Sequence, residues 1–534
     1  MRSIYIAVVL IVCGGYCQQV HGQTTGDRFR VPNILIAISD DQSYPYAGAY
    51  GDKTVNTPAF DQVAREGLLF NNAFSTSPGC APSRSSILTG RYPWQNGEAG
   101  GHQSLFPLEY KVMVDVLEEN NYFIGYTGKG CAPFNWQLSG RYRDPAGNEF
   151  NESKYGPNEG VPSKGISDNN YAANFDMFLS KKPKDKPFYF WYGGYEAHRE
   201  FDEGSGYRVG KRYEQAYVPG FLPNHTPIQT DILDYALEVD WFDLHLGKMI
   251  ESLRKAGELE NTIIIVTSDN GMAFPRAKAN CYEYGIHVPL AIMWKAKISE
   301  NRVVDDLVSL VDIAPTIFEI TGLDPKGMKP ISGKSFKNIL ESNEGGCSDT
   351  SRTSVCSGRE KHSSARWSNL GYPIRALRTK DYLYIRNYAP ERWPSGSPQM
   401  LDVNDPLRLE NMYGLDDNGK FMDKAFWDID AALSKSYIIE NHKDEQVSRY
   451  FDLSMAKRPE HELYDINKDP YCLENLAEKY DYQVILEELK KELTKFLIET
   501  GDPRHVGPDP DVFENYQRFS LMRPFPRPDW IKRD

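Results

Sequence analysis

Short continuous apolar runs, rich in β-branched residues, alternate along this chain with stretches in which apolar residues return every three or four positions. The runs Asn33 to Ser39, Phe123 to Thr127, Phe188 to Tyr192, Thr262 to Ser268 and Val288 to Trp294 predict strands. The periodic stretches Pro58 to Arg65, Lys111 to Glu119, Thr230 to Lys255 and Val308 to Ile320 predict helices. A strand that is apolar on both faces is covered on both faces. Strands alternating with helices therefore predict an α/β fold: a large, mainly parallel sheet sandwiched by helices. Ligands of such sheets bind beyond the carboxyl ends of the strands, and Asp40-Asp41 and Asp269-Asn270 both follow strand ends. Past Leu340 the pattern turns to a Ser, Gly and Cys-rich loop, then to short strand-like pieces at Ile374 to Leu377 and Tyr382 to Arg386. A helix follows near Tyr482 to Leu497. This predicts a smaller C-terminal α/β domain, and an extended tail on the surface from Asp502 onward.

The first 22 residues carry Arg2, the apolar run Ile4 to Val12 and a small-residue site ending at Gly22, which read as an export signal. The expected organisation is thus a signal peptide over 1–22, a catalytic domain over 23–365 and a smaller domain over 366–534. Nothing later approaches the roughly 18 apolar residues of a membrane helix, so no transmembrane segment is expected. With 61 Lys plus Arg against 74 Asp plus Glu, the net charge is −13, which argues against nucleic acid as a partner. An anionic substrate needs positive charge gathered locally. Outside the signal, six cysteines remain, and Cys347 with Cys356 is a candidate short-loop disulfide in an exported protein.

Three distant segments supply chemistry. Asp40-Asp41 sets two carboxylates side by side at the end of a buried strand, an arrangement that a divalent cation relieves. Thr267-Ser268-Asp269-Asn270-Gly271 ends another apolar strand with a carboxylate and an amide oxygen. Four oxygen donors without a Cys/His set suit a hard cation, Ca²⁺ or Mg²⁺, rather than zinc. The third segment is Cys80-Ala81-Pro82-Ser83-Arg84, running on to Leu88-Thr89-Gly90. Pro82 favours a first helical turn and Gly90 a helix stop, which places Cys80 at a helix N-terminus where an anion meets free N–H groups.

Cys-x-Pro-Ser-Arg followed by Leu-Thr-Gly resembles the signature of the type I sulfatases, which have an alkaline-phosphatase-like fold. The likeness extends from the Asn33 strand to the Glu462 to Ala477 segment. It implies that a maturation enzyme, either formylglycine-generating or anaerobic, converts Cys80 to formylglycine. The hydrated aldehyde then attacks sulfur and later expels sulfate. The resemblance further implies one Ca²⁺ held by Asp40, Asp41, Asp269, Asn270 and the modified Cys80. Arg84 would steady the nucleophile, Lys129 would contact both nucleophile and sulfate, and His198 would protonate the leaving oxygen or nitrogen. Lys278 would bind sulfate, and His102 is a further candidate contact to substrate or nucleophile. One departure stands out. Many sulfatases carry a histidine two places after the Gly-Lys lysine, where this chain has Cys131, so another group must serve.

Within the family, Asn96-Gly97, His102-Gln103 and Phe274-Pro275 resemble the heparan N-sulfatase type. That type has an arginine where Lys278 stands and a His-Asp pair where Tyr195-Glu196 stand. The expected substrate is a sulfated polysaccharide or its oligosaccharides: ulvan or another algal glycan, or heparan-type N-sulfoglucosamine. The expected location is the periplasm or the cell exterior of a bacterium. Two other classes compete. An alkaline-phosphatase-like phosphatase or phosphodiesterase would use Ser or Thr and a second metal set, and a sulfated-glycan-binding protein would have no use for Cys80, Arg84, Lys129 and His198 together.

Overall fold

The computed structural model describes residues 31–156 and 159–531, and the expected signal peptide lies outside them. From Pro32 onward the described residues form one compact unit. Its frame is an eight-stranded sheet built from β1 (Asn33–Ser39), β2 (Leu68–Phe74), β3 (Phe123–Gly128), β4 (Phe188–Gly193), β5 (Thr262–Ser268), β6 (His287–Met293), β7 (Arg302–Val304) and β8 (Val308–Ser309). The order is β3-β4-β1-β5-β6-β2-β7, with β8 beside β2. Only the pairings of β6 are antiparallel; all others are parallel. The mainly parallel sheet between helical layers is thus the architecture that the apolar runs predict.

Alternation along the central strands explains why those runs are unbroken. Ile34, Ile36 and Ile38 of β1 enter one apolar layer with Val114 and Leu117, while Leu35 and Ala37 enter the other with Phe60, Val63, Leu246 and Met249. Burying each such Ile or Leu contributes roughly 1.5–3 kcal/mol. Both faces of β1 are therefore anchored, and its end at Ser39 is a firm place from which to project Asp40.

Helix boundaries differ from the periodic stretches where caps decide them. The long helix runs Thr226–Ala256, with Pro227 in its first turn and Gly257 left-handed at its end. The stretch expected to be helical from Val308 begins instead with β8 and a tight turn. Asp312 accepts from the Ser309 N–H, and the α-helix starts at Ile313.

The second sheet is four-stranded and antiparallel, ordered β12-β11-β10-β9, from β9 (Ser354–Arg359), β10 (Ile374–Thr379), β11 (Tyr382–Asn387) and β12 (His461–Asp465). Leu377, Tyr384 and Leu463 on one face pack against Leu486, Leu489, Leu493 and Leu497 of the helix Gln483–Glu499. Ile374, Ala376, Leu383 and Ile385 pack with Phe74 and Ile286 of the first sheet's region. Two buried ion pairs reinforce this packing, Arg378 with Glu283 at 2.5 Å and Arg375 with Asp502 at 2.7 Å.

Two sequence expectations change. Cys347 is exposed, Cys356 is buried, and neither is bridged. The tail after Asp502 does more than lie on the surface. It forms short helices at Pro503–Val506 and Val512–Asn515, after which Phe519 N–H donates to the Gln103 carbonyl at 2.8 Å and Arg518 holds the His102 carbonyl at 3.0 Å.

Candidate active site

Five strand ends converge. β1 delivers Asp40 and Asp41, β5 delivers Asp269 and Asn270, β3 delivers Lys129, β4 leads to His198, and β2 leads to Cys80. Because Ser39 pairs with Ser268, the residues that follow are neighbours, and Asp269 N–H donates to the Ser39 carbonyl at 3.2 Å. Asp41 has a left-handed backbone, φ 63°. In extended chain Asp40 and Asp41 would point to opposite faces; the turn brings Asp41 N–H to Asp269 Oδ1 at 3.2 Å and Asn270 Nδ2 to Asp41 Oδ1 at 2.8 Å, while a carboxylate oxygen of Asp41 groups with His198 and Asp430. The loop after β4 is tied to the same point, with Asp40 N–H donating to the Glu196 carbonyl at 2.9 Å and Ala197 N–H to the Asp40 carbonyl at 2.7 Å.

Cys80 opens the helix Cys80–Thr89, which Gly90 ends in a left-handed cap, φ 66°. Arg84, one turn on, is fully buried and donates Nε to Asp269 Oδ2 at 2.6 Å and NH1 to the Lys129 carbonyl at 2.8 Å. The β4 end passes close by. A Cβ on Gly193 would collide with the Lys129 carbonyl oxygen and crowd Arg84 NH1, so only glycine permits this approach. One guanidinium thus joins the helix, the β5 end and the β3 end.

Charge is dense and nearly balanced. Lys129 Nζ contacts Asp40 Oδ2, and Lys278 Nζ contacts Asp41 Oδ2 at 2.7 Å and Asp430 Oδ2 at 3.1 Å. Burial works to raise the Asp40 carboxyl, but Lys129, His198, Arg84 and Lys278 hold it well below the ordinary carboxylate range. Burial, aided by Asp40, lifts Asp41 to about 7 and Asp269 to about 6. The thiol of Cys80 is pushed up by burial to about 11.

These residues fit a divalent cation. Ligand atoms of Asp40, Cys80 and Asp269 lie within 4.8 Å of one another. Asp40 Oδ1 and Asn270 Oδ1 are buried without a hydrogen-bond partner, a costly state for two acceptors unless a cation faces them. Oxygen donors dominate, as calcium requires. The Asp40, Cys80 and Asp269 cluster matches the Ca²⁺ and formylglycine site of sulfatases.

The imidazoles are placed separately. His198 Nδ1 donates to the Arg199 carbonyl at 2.6 Å, which leaves Nε2 for other work. Arg199 is fixed in turn by two 2.7 Å bonds to Asp231. His102 Nε2 lies 3.5 Å from Cys80 Sγ, and its Nδ1 is buried without a partner. Cys131 sits in the apolar core, its N–H donating to Asp144 at 3.0 Å.

A pocket of about 750 Å³ opens over the cluster, lined by Asp40, Cys80, His102, Lys129, His198 and Lys278. Gln103, Tyr195 and Glu196 also line it, and the far end of the chain adds residues that sequence reasoning did not single out. His362 stands 5.2 Å from His102, ring to ring, with its pKa lowered by burial to about 3. Asp430 touches Lys278, and Trp427, Leu521 and Arg523 complete the rim. None belongs to a motif; no periodicity or spacing marks them.

The chain matches the family model described as Sulfatase over residues 32–323, and the one described as N-sulphoglucosamine sulphohydrolase, C-terminal, over residues 276–435. It is 26% identical to an ulvan-active sulfatase of Formosa agariphila, across 98% of this chain and 85% of that protein. It is 27% identical to human N-sulphoglucosamine sulphohydrolase, across 90% of this chain and 93% of that one. Among solved structures, BT4656 in complex with its substrate D-glucosamine-2-N,6-O-disulfate superposes with a TM-score of 0.63 at 18% identity, covering 90% of this chain and 99% of that one. That likeness is one of fold.

Proposed function

The chain belongs to the sulfatase family, and from that premise we propose that it releases sulfate from sulfated saccharides, cleaving an O-sulfate ester or a sulfamate. The reading rests on one observation above others. Cys80 stands at a helix N-terminus against Asp40 and Asp269, in a pocket that also gathers Lys129, Lys278 and His198. In the reaction, the bond from sulfur to the sugar oxygen or nitrogen breaks, that atom takes up a proton, and water supplies the fourth oxygen of sulfate.

Calcium, held by Asp40, Asp41, Asp269, Asn270 and position 80, would draw charge from the sulfate oxygens and favour ionisation of the nucleophile. Formylglycine at position 80 would supply that nucleophile. Lys129 and Lys278 bind the sulfate oxygens, their positive charge secured because Asp40 and Asp41 outweigh the cost of burial. Once sulfate arrives, both amines have an oxygen partner besides the carboxylates they now contact. Arg84 keeps Asp269 and the Lys129 backbone in register with the nucleophile. Burial lowers the pKa of His198 while Asp40 and Asp430 work to raise it; as the imidazolium, with Nδ1–H kept on the Arg199 carbonyl, it delivers the Nε2 proton to the departing sugar atom and is left neutral. His102, beside position 80 and held neutral by burial, is placed to take the proton that the nucleophile gives up, while Cys131 lies in the apolar core.

The glycan is a polysaccharide of the ulvan type or a heparan-type chain bearing N-sulfoglucosamine, as the two relatives suggest by their names. The apolar segment Ile4 to Val12 would export the protein, and among the described residues no helix is long and apolar enough to cross a membrane. The test is sulfate release from N-sulfoglucosamine, O-sulfated amino sugars and ulvan fragments, using protein matured by a formylglycine-generating enzyme and verified by intact mass. Release that vanishes in Cys80→Ala is expected. Silence across the panel with formylglycine confirmed, or turnover of phosphate esters alone, overturns the reading.

A further inference from the structure

The pocket that contains Cys80 carries a second cationic element on its wall. Arg523 reaches it from the C-terminal tail, and its guanidinium carbon lies 3.7 Å from the centre of the Trp427 ring. Stacking of this kind fixes the plane of the guanidinium and leaves its N–H edge pointing outward. Among the described residues that edge has no ion pair and no hydrogen bond. The acids whose fields reach it are taken by others. Asp423 pairs with Lys435 at 2.9 Å, and Asp428 pairs with Arg366 at 2.7 Å while accepting from the Ser363 N–H at 2.8 Å. A fork of donors is therefore held rigid, charged and unspent inside the pocket that contains Cys80.

Trp427 and Asp430 both line the pocket, and Asp430 contacts Lys278 at 3.1 Å. Arg523 and Lys278 line the same pocket, about 750 Å³ in volume, so one oligosaccharide filling it meets both cations. Arg523 reaches the pocket on a different segment from any residue around Cys80. The tail that presents it is pinned on both sides, by Phe519 to Gln103, by Ser520 to Ser364 at 2.6 Å and by the Pro524 carbonyl to Leu401 at 2.9 Å.

We propose that Arg523, stacked on Trp427, is a second anion subsite, so that the preferred substrate carries an acid group, carboxylate or sulfate, in addition to the sulfate that is removed. This deepens the sulfatase reading and rests on it for the identity of the first anion. A planar fork suits the two oxygens of a carboxylate or two of a sulfate, and each charge-assisted pair adds affinity without touching the reacting bond. The subsite selects polyanionic saccharides over singly sulfated ones.

Binding can be measured without turnover. Cys80→Ala protein, with and without Arg523→Gln, is titrated calorimetrically in calcium with three probes: N-sulfoglucosamine, its 6-O-sulfated derivative, and a disaccharide joining a uronic acid to N-sulfoglucosamine. The expected result is that Arg523→Gln weakens at least one doubly acidic probe by about tenfold more than the singly sulfated one. The probe that loses more shows whether carboxylate or sulfate is read. Arg523→Lys, which keeps charge but not the planar fork, should fall between. Equal weakening of all three probes, no weakening, or no binding of either doubly acidic probe overturns the subsite. Failure of matured wild-type protein to release sulfate would instead strike the sulfatase reading, while the binding comparison still decides the subsite by itself.

Discussion

Arg84 donates Nε to Asp269 Oδ2 at 2.6 Å with both side chains wholly buried. The pair links the helix that begins at Cys80 to the end of β5. Asp40, whose Oδ2 lies 3.9 Å from Arg84 NH2, extends the same link to β1. Nucleophile and metal ligands are thus positioned through one guanidinium.

Removing that guanidinium should cost stability as well as activity. Arg84→Ala leaves Asp269 buried without its hydrogen-bonded cation and the Lys129 carbonyl with only the Trp191 Nε1 donor at 3.1 Å, a loss of about 3 kcal/mol for a broken buried pair. Urea unfolding in the presence of a chelator checks this with calcium out of the comparison. An unchanged midpoint would mean that the pair contributes nothing to the fold.

Calcium should stabilise the folded chain, because its ligands are assembled only there. Free calcium at a hundred times its dissociation constant adds about 2.7 kcal/mol, so the thermal midpoint should climb with calcium concentration. Asp40→Asn removes a ligand charge and frees Lys129, and should flatten that dependence. A wild-type midpoint indifferent to calcium would contradict the assignment of the cluster.

Much of this arrangement could be read from residue order, for a physical reason. β1 and β5 are buried on both faces, so their runs are apolar throughout, and the change to carboxylates at Asp40 and Asp269, still buried, marks the site. The strand β2 escaped because Asn71 and Asn72 interrupt Leu68–Phe74; their side chains bond to Asp305, a tertiary contact that no local pattern announces. β12 is five residues with His, Glu and Asp among them, and Tyr282 and Asn387 satisfy its buried Glu462 from elsewhere. The same limit applies to the pocket. Asp430, Trp427 and Arg523 arrive on irregular segments whose course is set by contacts far along the chain, such as Ser363 with Asp428 and Phe519 with Gln103.

Leaving-group dependence tests the role of His198. A sugar alkoxide or amine departs poorly without a proton, whereas a nitrophenolate hardly needs one. His198→Ala should therefore slow sulfate release from a saccharide about a hundredfold more than release from nitrophenyl sulfate. Equal slowing of both substrates would show that His198 binds sulfate or shapes the pocket instead of donating a proton.

Acid should unfold the protein partly through His245, which is not one of the metal-cluster residues. This side chain is buried in the helix Thr226–Ala256, where Nδ1 accepts from the Ala172 N–H at 3.2 Å, so the neutral ring carries its proton on Nε2 toward Tyr155. Burial, with a smaller contribution from Lys248, lowers its pKa from the ordinary 6.5 to about 3. The unfolded chain therefore binds a proton that the folded chain refuses between those two values. Stability from this residue is complete above pH 6.5 and is lost progressively as pH falls toward 3. Between pH 7 and pH 5 the loss is about 2 kcal/mol. Urea midpoints at the two pH values, for wild type and for His245→Gln, isolate the effect. The glutamine variant should be the less stable at pH 7 but should lose less on acidification, and an identical pH slope in both proteins would show that His245 titrates alike folded and unfolded.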